Sequence, residues 1–445
     1  MERLPLKGNV PTEVVAKRNR VEESCDSTRR NTTSRIQLPM DLVCRILERL
    51  PLIDVLRAKL VSHDWNSGAD AVLSSKSHSR LLKSPWLLLP PKRDGEGGYT
   101  SYPSCAGGDS FRIMNLEENM VYDLKKSTSD LISEFACIGS SHGWLILSDY
   151  TTLSPFLFNL FTEARIQLPS LKTLLGISEI EEAGRGICKI LWNGKWVIRA
   201  EVDLRRSFVS RAFLTAEPIG GDYAMVLLLD AGDLIFYKNG DISWTQFYDS
   251  GFRNRIVVED IMCYENKLHV LTVDGAIYTW DLGSGYPENK IYNGYAAPNG
   301  TFQIPNCLIS QVYLVQSGGE ILLVARNLLE GDDDDLIIEI FDVYKLDLEG
   351  RKWVEVETLG DDRSLFLGQN QSVSVSTKDF SRCKGCCIYF THDDQVLNLL
   401  EGDEMGMGMG IYCLKDRKIS PIFEFPSETL LEFSLIPCWL IPSSC

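Results

Sequence analysis

The chain has no apolar run approaching the roughly 20 residues that a membrane-spanning helix needs, and its opening MERLPLKGNV has no charged segment followed by an apolar one. Neither a bilayer span nor a secretory leader is expected. Positive charge is also in short supply. Lys and Arg number 45 against 61 Asp and Glu, a net charge of −16. A surface of that sign repels phosphate backbones and anionic membranes, so neither nucleic acid nor membrane is an expected partner. Histidine is scarce, with five residues in 445, which leaves few candidates for acid–base or metal chemistry. The 13 cysteines form no regular framework; free thiols in a reducing compartment, cytoplasm and/or nucleus, are expected.

What is present is ordinary for a folded protein: 44% hydrophobic and 24% charged residues over a length that calls for two units or one large repeat array. Residues 1–35 are polar, carry the basic pairs Lys17-Arg18 and Arg29-Arg30, and read as a disordered arm. In QLPMDLVCRILERLPLIDVLRAKLVSHDWNSGADAVL, residues 37–73, Leu42, Val43, Ile46, Leu47 and Leu50 recur at helical spacing. Pro39 suits the first helical position, Asp41 favours the helix start, and Pro51 stops the helix. A second helix carries Val55, Leu56 and Leu60. Ser62 can cap a third that presents Trp65, Ala69 and Val72. Three helices of about ten residues are too few for a self-sufficient core, so this module is expected to complete its burial against a partner.

From Ser84 the pattern changes to short apolar runs broken by Gly, Asp and Asn, including Trp86–Leu89, Trp144–Leu147, Met225–Leu229, Leu268–Thr272 and Ile388–Thr391. These predict strands. Turn signals at Asn193-Gly194, Ala231-Gly232, Asp274-Gly275 and Gly318-Gly319 stand roughly 40 residues apart, the period of a β-propeller blade. Spacing over 84–442 implies about seven blades, with six possible. The fold class is thus α plus all-β: a small three-helix unit over 36–80, then a β-propeller of six or seven blades.

Several motifs suggest chemistry and are outweighed by their context. Cys383-x-x-Cys386 is followed by Cys387 and His392 but has no second ligand pair, and Cys386 and Cys387 read as opening a strand with side chains on opposite faces; no metal is expected. The Met/Gly run at 404–410 reads as a loop rather than a nucleotide cradle, and Asp332–Asp335 as a solvated hairpin loop, so no cofactor is expected. Gly139-Ser140-Ser141-His142-Gly143 fits the G-x-S-x-G pattern of a hydrolase elbow. An elbow needs a helix after the serine, whereas Trp144–Asp149 reads as a strand, and only His269 and His392 follow in usable order. The stretch reads as a hairpin corner, with a serine hydrolase using Ser141 as the remote alternative.

Residues 38–73 closely resemble an F-box, through Leu38-Pro39, Asp41-Leu42, Ile46-Leu47, Leu50-Pro51, Asp54-Val55-Leu56, Val61 and Trp65 in order; His63-Asp64 and Cys44 depart from the usual pattern. The remainder is similar to the kelch-like propeller that accompanies F-boxes in the plant KIB family. The stretches that carry this are GSSHGWLILSD (139–149), LFNLFTEARIQLP (157–169), Ser243-Trp244-Thr245, IYTWDL (277–282) and CWLIPS (438–443). The resemblance implies the substrate-recognition subunit of an SCF-type (Skp, cullin, F-box) ubiquitin ligase, with no catalytic residue of its own. It implies docking on a Skp-family adaptor, and through it a cullin, by Leu38, Pro39, Leu42, Ile46, Leu50, Pro51, Leu56, Val61 and Trp65 or their immediate support. The propeller would hold a target protein that the sequence does not name. A scaffold that sequesters a partner without ubiquitination would use the same surfaces.

Overall fold

Helix α1 (Met40–Leu47) begins at Pro39, whose carbonyl accepts the Leu42 and Val43 amides at 2.9 and 3.1 Å. Its ψ of 141° is extended, so Pro39 is the cap outside the helix and not the first helical residue expected from sequence. Pro51 repeats the arrangement. α1 has already ended at Leu47, and Pro51 starts α2 (Leu52–Ala58) instead of stopping α1. Ser62 caps α3 (His63–Leu73) as expected, its hydroxyl accepting the Trp65 amide at 3.5 Å. Val43 and Leu47 of α1 meet Val55 and Ala58 of α2 and Ala69 and Val72 of α3 in a core of small side chains. Gly68 lets α1 and α3 approach: a Cβ there would lie 2.8 Å from Val43 Cγ1.

This computed structural model describes residues 38–74, 84–89, 111–149, 152–175, 177–184, 187–192, 195–200, 209–229, 232–246, 258–283, 286–293, 307–330, 337–368, 371–378, 380–391, 409–422 and 437–441. The arm expected over 1–35, the Asn193-Gly194 turn, the Asp332–Asp335 loop, His392 and most of the Met/Gly run lie outside the described residues.

The strands form seven antiparallel-dominated sheets among the described residues. Six of them make a ring. Blade 1 joins Trp86–Leu89, Arg112–Asn115 and Met120–Asp123 to Cys438–Leu440, so the end of the chain supplies the inner strand of the first blade and closes the circle. Blade 2 holds Ala136–Ser141, Trp144–Asp149, Ser154–Phe158 and Arg165–Gln167; blade 3 runs from Val209–Leu214 to Thr245–Gln246, and blade 4 from Val258–Tyr264 to Glu288–Asn293. Blade 5 has three strands of 11 residues, Cys307–Ser317, Glu320–Glu330 and Ile337–Asp347, and then Lys352–Glu355. Blade 6 has five strands, in which Arg363–Leu367 pairs parallel with Cys387–Phe390.

The ring count follows from what fills the spaces between blades. One apolar cluster lies between each neighbouring pair: blades 1 and 2, 2 and 3, 3 and 4, 4 and 5, 5 and 6, and 6 and 1. The seventh sheet (Ile177–Gly184, Ile187–Trp192, Lys195–Ala200) contributes Cys188 and Ile190, with Ile180 packed behind them, to the cluster that blades 2 and 3 already share. Hydrogen bonds agree, because Trp244 Nε1 beside blade 3 donates to Pro169 O beside blade 2 at 2.7 Å. The propeller therefore has six blades and one inserted sheet. Six is the lower of the two counts expected from sequence, and the higher one arises because the insertion looks like a blade. Gly232 and Gly275 join second to third strands, whereas Gly318-Gly319 joins first to second, so the glycine period did not mark one structural position.

The reason the strands read as continuous apolar runs is now physical. Each blade packs on both faces, and Ala224–Leu229 is buried at every residue.

Candidate functional site

The nine residues singled out in the helical module separate into two groups. Leu38, Pro39, Leu42, Ile46 and Val61 are exposed; Leu50, Pro51, Leu56 and Trp65 are half-buried; none belongs to the module's closed core. The 3.6-residue period explains the split. Val43 and Leu47 point inward on α1, which turns Leu42 (44% exposed) and Ile46 (40%) outward one position away. Leu60 and Val61, at the α2–α3 connection, are 79% and 67% exposed. Together with Leu38 and Met40 they put six exposed large apolar side chains within 38–61, a density no other described segment matches. Such clustering is unusual on a surface that water must cover. Met40 and Leu60 were not singled out from sequence; their exposure is visible only once the inward faces of the helices are known.

Leu50 and Trp65 pack against the module's core, while Leu56 packs with Leu52, Ile53 and Leu73 against the cluster between blades 1 and 2. Leu56 thus faces the propeller. One edge of the module is closed by the rest of the chain, which is where part of the missing burial is found. The junction has a polar element too. The Leu52 amide at the start of α2, which Pro51 cannot cap with a side chain, donates to Glu118 Oε1 at 2.9 Å, and Tyr122 O–H donates to Glu118 Oε2 at 2.8 Å. Burial, reinforced by the bond to Glu118, raises the Tyr122 phenol well above its ordinary value. Lys59 Nζ and Asp70 Oδ1, 2.6 Å apart, tie the end of α2 to α3.

Ser141 lies in a different setting from a nucleophile. Ala136–Ser141 and Trp144–Asp149 form a hairpin whose two-residue turn, His142-Gly143, has φ of 51° and 76°, the positive values of a type I′ turn. The Ser141 hydroxyl donates to Gln371 Oε1 at 2.6 Å and accepts the Leu214 amide at 3.0 Å. His142 Nε2 lies 3.2 Å from Leu214 O, and burial lowers its pKa. His269, the one described histidine in usable order, pairs with Thr279 in blade 4. Ser140 donates to Trp439 O, and Gln371 N donates to Ser140 O at 3.0 Å. The corner is a fastener that links blade 2 to blades 1, 3 and 6.

The cysteine motif is also architectural. Cys386 stands just before the strand Cys387–Phe390 with φ 57°, so it does not open the strand as expected. Its Sγ pairs with Thr358 Oγ1 at 3.2 Å, and burial pushes the Cys387 thiol up to about 12. Gly385 is required by space: a Cβ would come within 1.9 Å of the Asp361 carbonyl oxygen.

Comparison with known proteins agrees with this construction. The F-box domain family matches residues 36–73, and the KIB1-4 β-propeller family matches residues 113–413. F-box protein KIB4 of Arabidopsis thaliana is 26% identical over 398 residues, covering 87% of this chain and 90% of its own. F-box/kelch-repeat protein KIB1 of the same plant is 28% identical over 359 residues, covering 80% and 77%. Among solved structures, the WD40 domain of SCAP from fission yeast aligns over 70% of this chain and 81% of its own, with a TM-score of 0.28 and 9% identity. An F-box joined to a propeller is the general architecture of a non-catalytic SCF substrate receptor. With the six-bladed ring and the helical module in place, the chain belongs to the F-box proteins that carry a KIB1-4 β-propeller.

Proposed function

We propose that this protein is the target-binding subunit of an SCF ubiquitin ligase, acting in the cytoplasm and/or nucleus, with α1 and its flanks seated on a Skp-family adaptor. The observation that carries the reading is the division of α1: Val43 and Leu47 close the module while Leu42 and Ile46, outside its core, stay exposed among the described residues. Leu38, Pro39 and Val61 extend the exposed surface; Leu50, Pro51 and Trp65 support it from behind, and Leu56 supports the joint to the propeller. Apolar side chains at helical spacing suit helix-in-groove recognition. The propeller would bind a target protein and raise its concentration near a recruited conjugating enzyme, so that no residue of this chain takes part in bond making.

Affinity purification of the full chain and of a version lacking residues 37–73, under proteasome inhibition, tests this. The adaptor and cullin should be present with the first and absent with the second, while propeller-bound targets are common to both. Equal recovery of the adaptor would refute the reading. Target turnover that is indifferent to the deletion would instead support a sequestering scaffold.

A further inference from the structure

The turns of blades 4 and 5 enclose a cleft of about 740 Å³, a size that suits part of a peptide or a small ligand. Its rim is apolar and acidic together. Leu348 (66% exposed) and Val354 line it together with Glu265 and Glu349; of its two lysines, Lys345 is paired with Glu320, and Lys267 follows Glu265 on the strand that leaves the same turn. Asp347 adds a further carboxylate, one oxygen of which accepts the Glu349 and Gly350 amides at 3.1 and 2.9 Å and orders the turn. His269, which also lines the cleft, is almost fully buried, with its Nδ1 3.1 Å from Thr279 Oγ1. The cleft carries four carboxylates against two lysines.

We propose that this cleft receives a basic and apolar segment of the target protein, in which Lys or Arg side chains meet Glu265 and Glu349 and a neighbouring aliphatic side chain covers Leu348 and Val354. The proposal rests on the target-binding reading above. Charge complementarity selects the occupant, because acidic walls on a chain of net charge −16 attract cations and turn acidic segments away. Location favours it as well. The cleft is built from first-to-second and third-to-fourth strand turns, and the Glu118 turn that receives α2 is a third-to-fourth turn of blade 1. Alternation of strand direction puts all of these on one rim of the ring, so a segment held there shares a face with the helical module.

The test uses the full chain with its adaptor and two fluorescein-labelled pools of ten-residue peptides. One is randomised over Lys, Arg, Leu, Val and Gly; the other has Asp and Glu in place of Lys and Arg. The basic pool should bind at least tenfold more tightly. Glu265→Gln with Glu349→Gln, or Leu348→Ser alone, should weaken it at least fivefold, whereas Asp123→Asn with Glu181→Gln, which removes equal charge on other sheets, should not. The inference is overturned by undetectable binding of the basic pool at millimolar concentration, by equal binding of both pools, or by equal loss in the two carboxamide pairs. Adaptor recovery from the same samples separates the two readings: adaptor lost with peptide binding kept counts against the ligase role alone, and the reverse counts against the cleft alone.

Discussion

The Glu118 carboxylate of blade 1 accepts the Leu52 amide at 2.9 Å, capping a helix of the F-box with a side chain of the propeller. The pair joins two modules that the sequence presents as separate. It fixes the direction of α2 relative to the ring, and with it the angle at which an adaptor on α1 would face the propeller rim.

Removing that cap should loosen the joint without unfolding either module. Glu118→Ala is expected to cost about 1 kcal/mol, typical for loss of a helix cap, and Glu118→Gln should keep most of it because an amide oxygen still accepts. Thermal unfolding together with limited proteolysis between residues 74 and 84 checks this. Unchanged cleavage in the alanine variant would show that apolar packing of Leu52 and Leu56 fixes the joint alone.

Ser141 should matter for stability and not for chemistry. Ser141→Ala removes the hydroxyl that accepts the buried Leu214 amide and donates to Gln371 Oε1, a loss of about 1–3 kcal/mol. Denaturant unfolding measures it. Covalent labelling of Ser141 by a fluorophosphonate would contradict the assignment and restore the hydrolase reading.

Gly385→Ala should be poorly tolerated because its Cβ meets a backbone oxygen that cannot swing aside. Overpacking of this kind costs about 1–3 kcal/mol or more. The melting temperature reports it, and a wild-type value would mean that the crossover between the parallel strands of blade 6 is free to shift.

Stability should fall on acidification through the histidine range. Burial, followed by Lys267, lowers the pKa of His269 to about 4 from 6.5, so the unfolded chain binds the proton first. The contribution is fully present above pH 6.5 and is lost as pH falls toward 4, amounting to at most ~3 kcal/mol. His142, lowered by its own burial, acts in the same direction. Denaturant midpoints measured from pH 7 to 4 should decline, and His269→Gln should flatten the decline. An unaltered slope would mean that other groups set it.

Much of this was legible in the sequence, and the failures have definite causes. The first helix could be read because Leu42, Val43, Ile46, Leu47 and Leu50 recur at helical spacing, and the strands because blades bury both faces. The period alone could not say which apolar neighbour faces inward, so Leu42 and Val43 looked alike until α3 packed against one of them. Helix α4 (Lys126–Glu134) went unseen since it buries Thr128, Ser129 and Ile132, a weakly apolar face. Blade number was obscured by the inserted sheet. The Glu118 cap, 66 residues from its helix, carries no local signal at all.

The most direct test of the account is the dissociation constant of the full chain for a Skp-family adaptor, with Leu42→Glu and Ile46→Glu introduced together. These side chains are outward and leave the Val43–Leu47 core intact, so the variant should fold with an unchanged melting temperature and bind the adaptor at least 100-fold more weakly. Wild-type affinity in a folded variant would contradict the account.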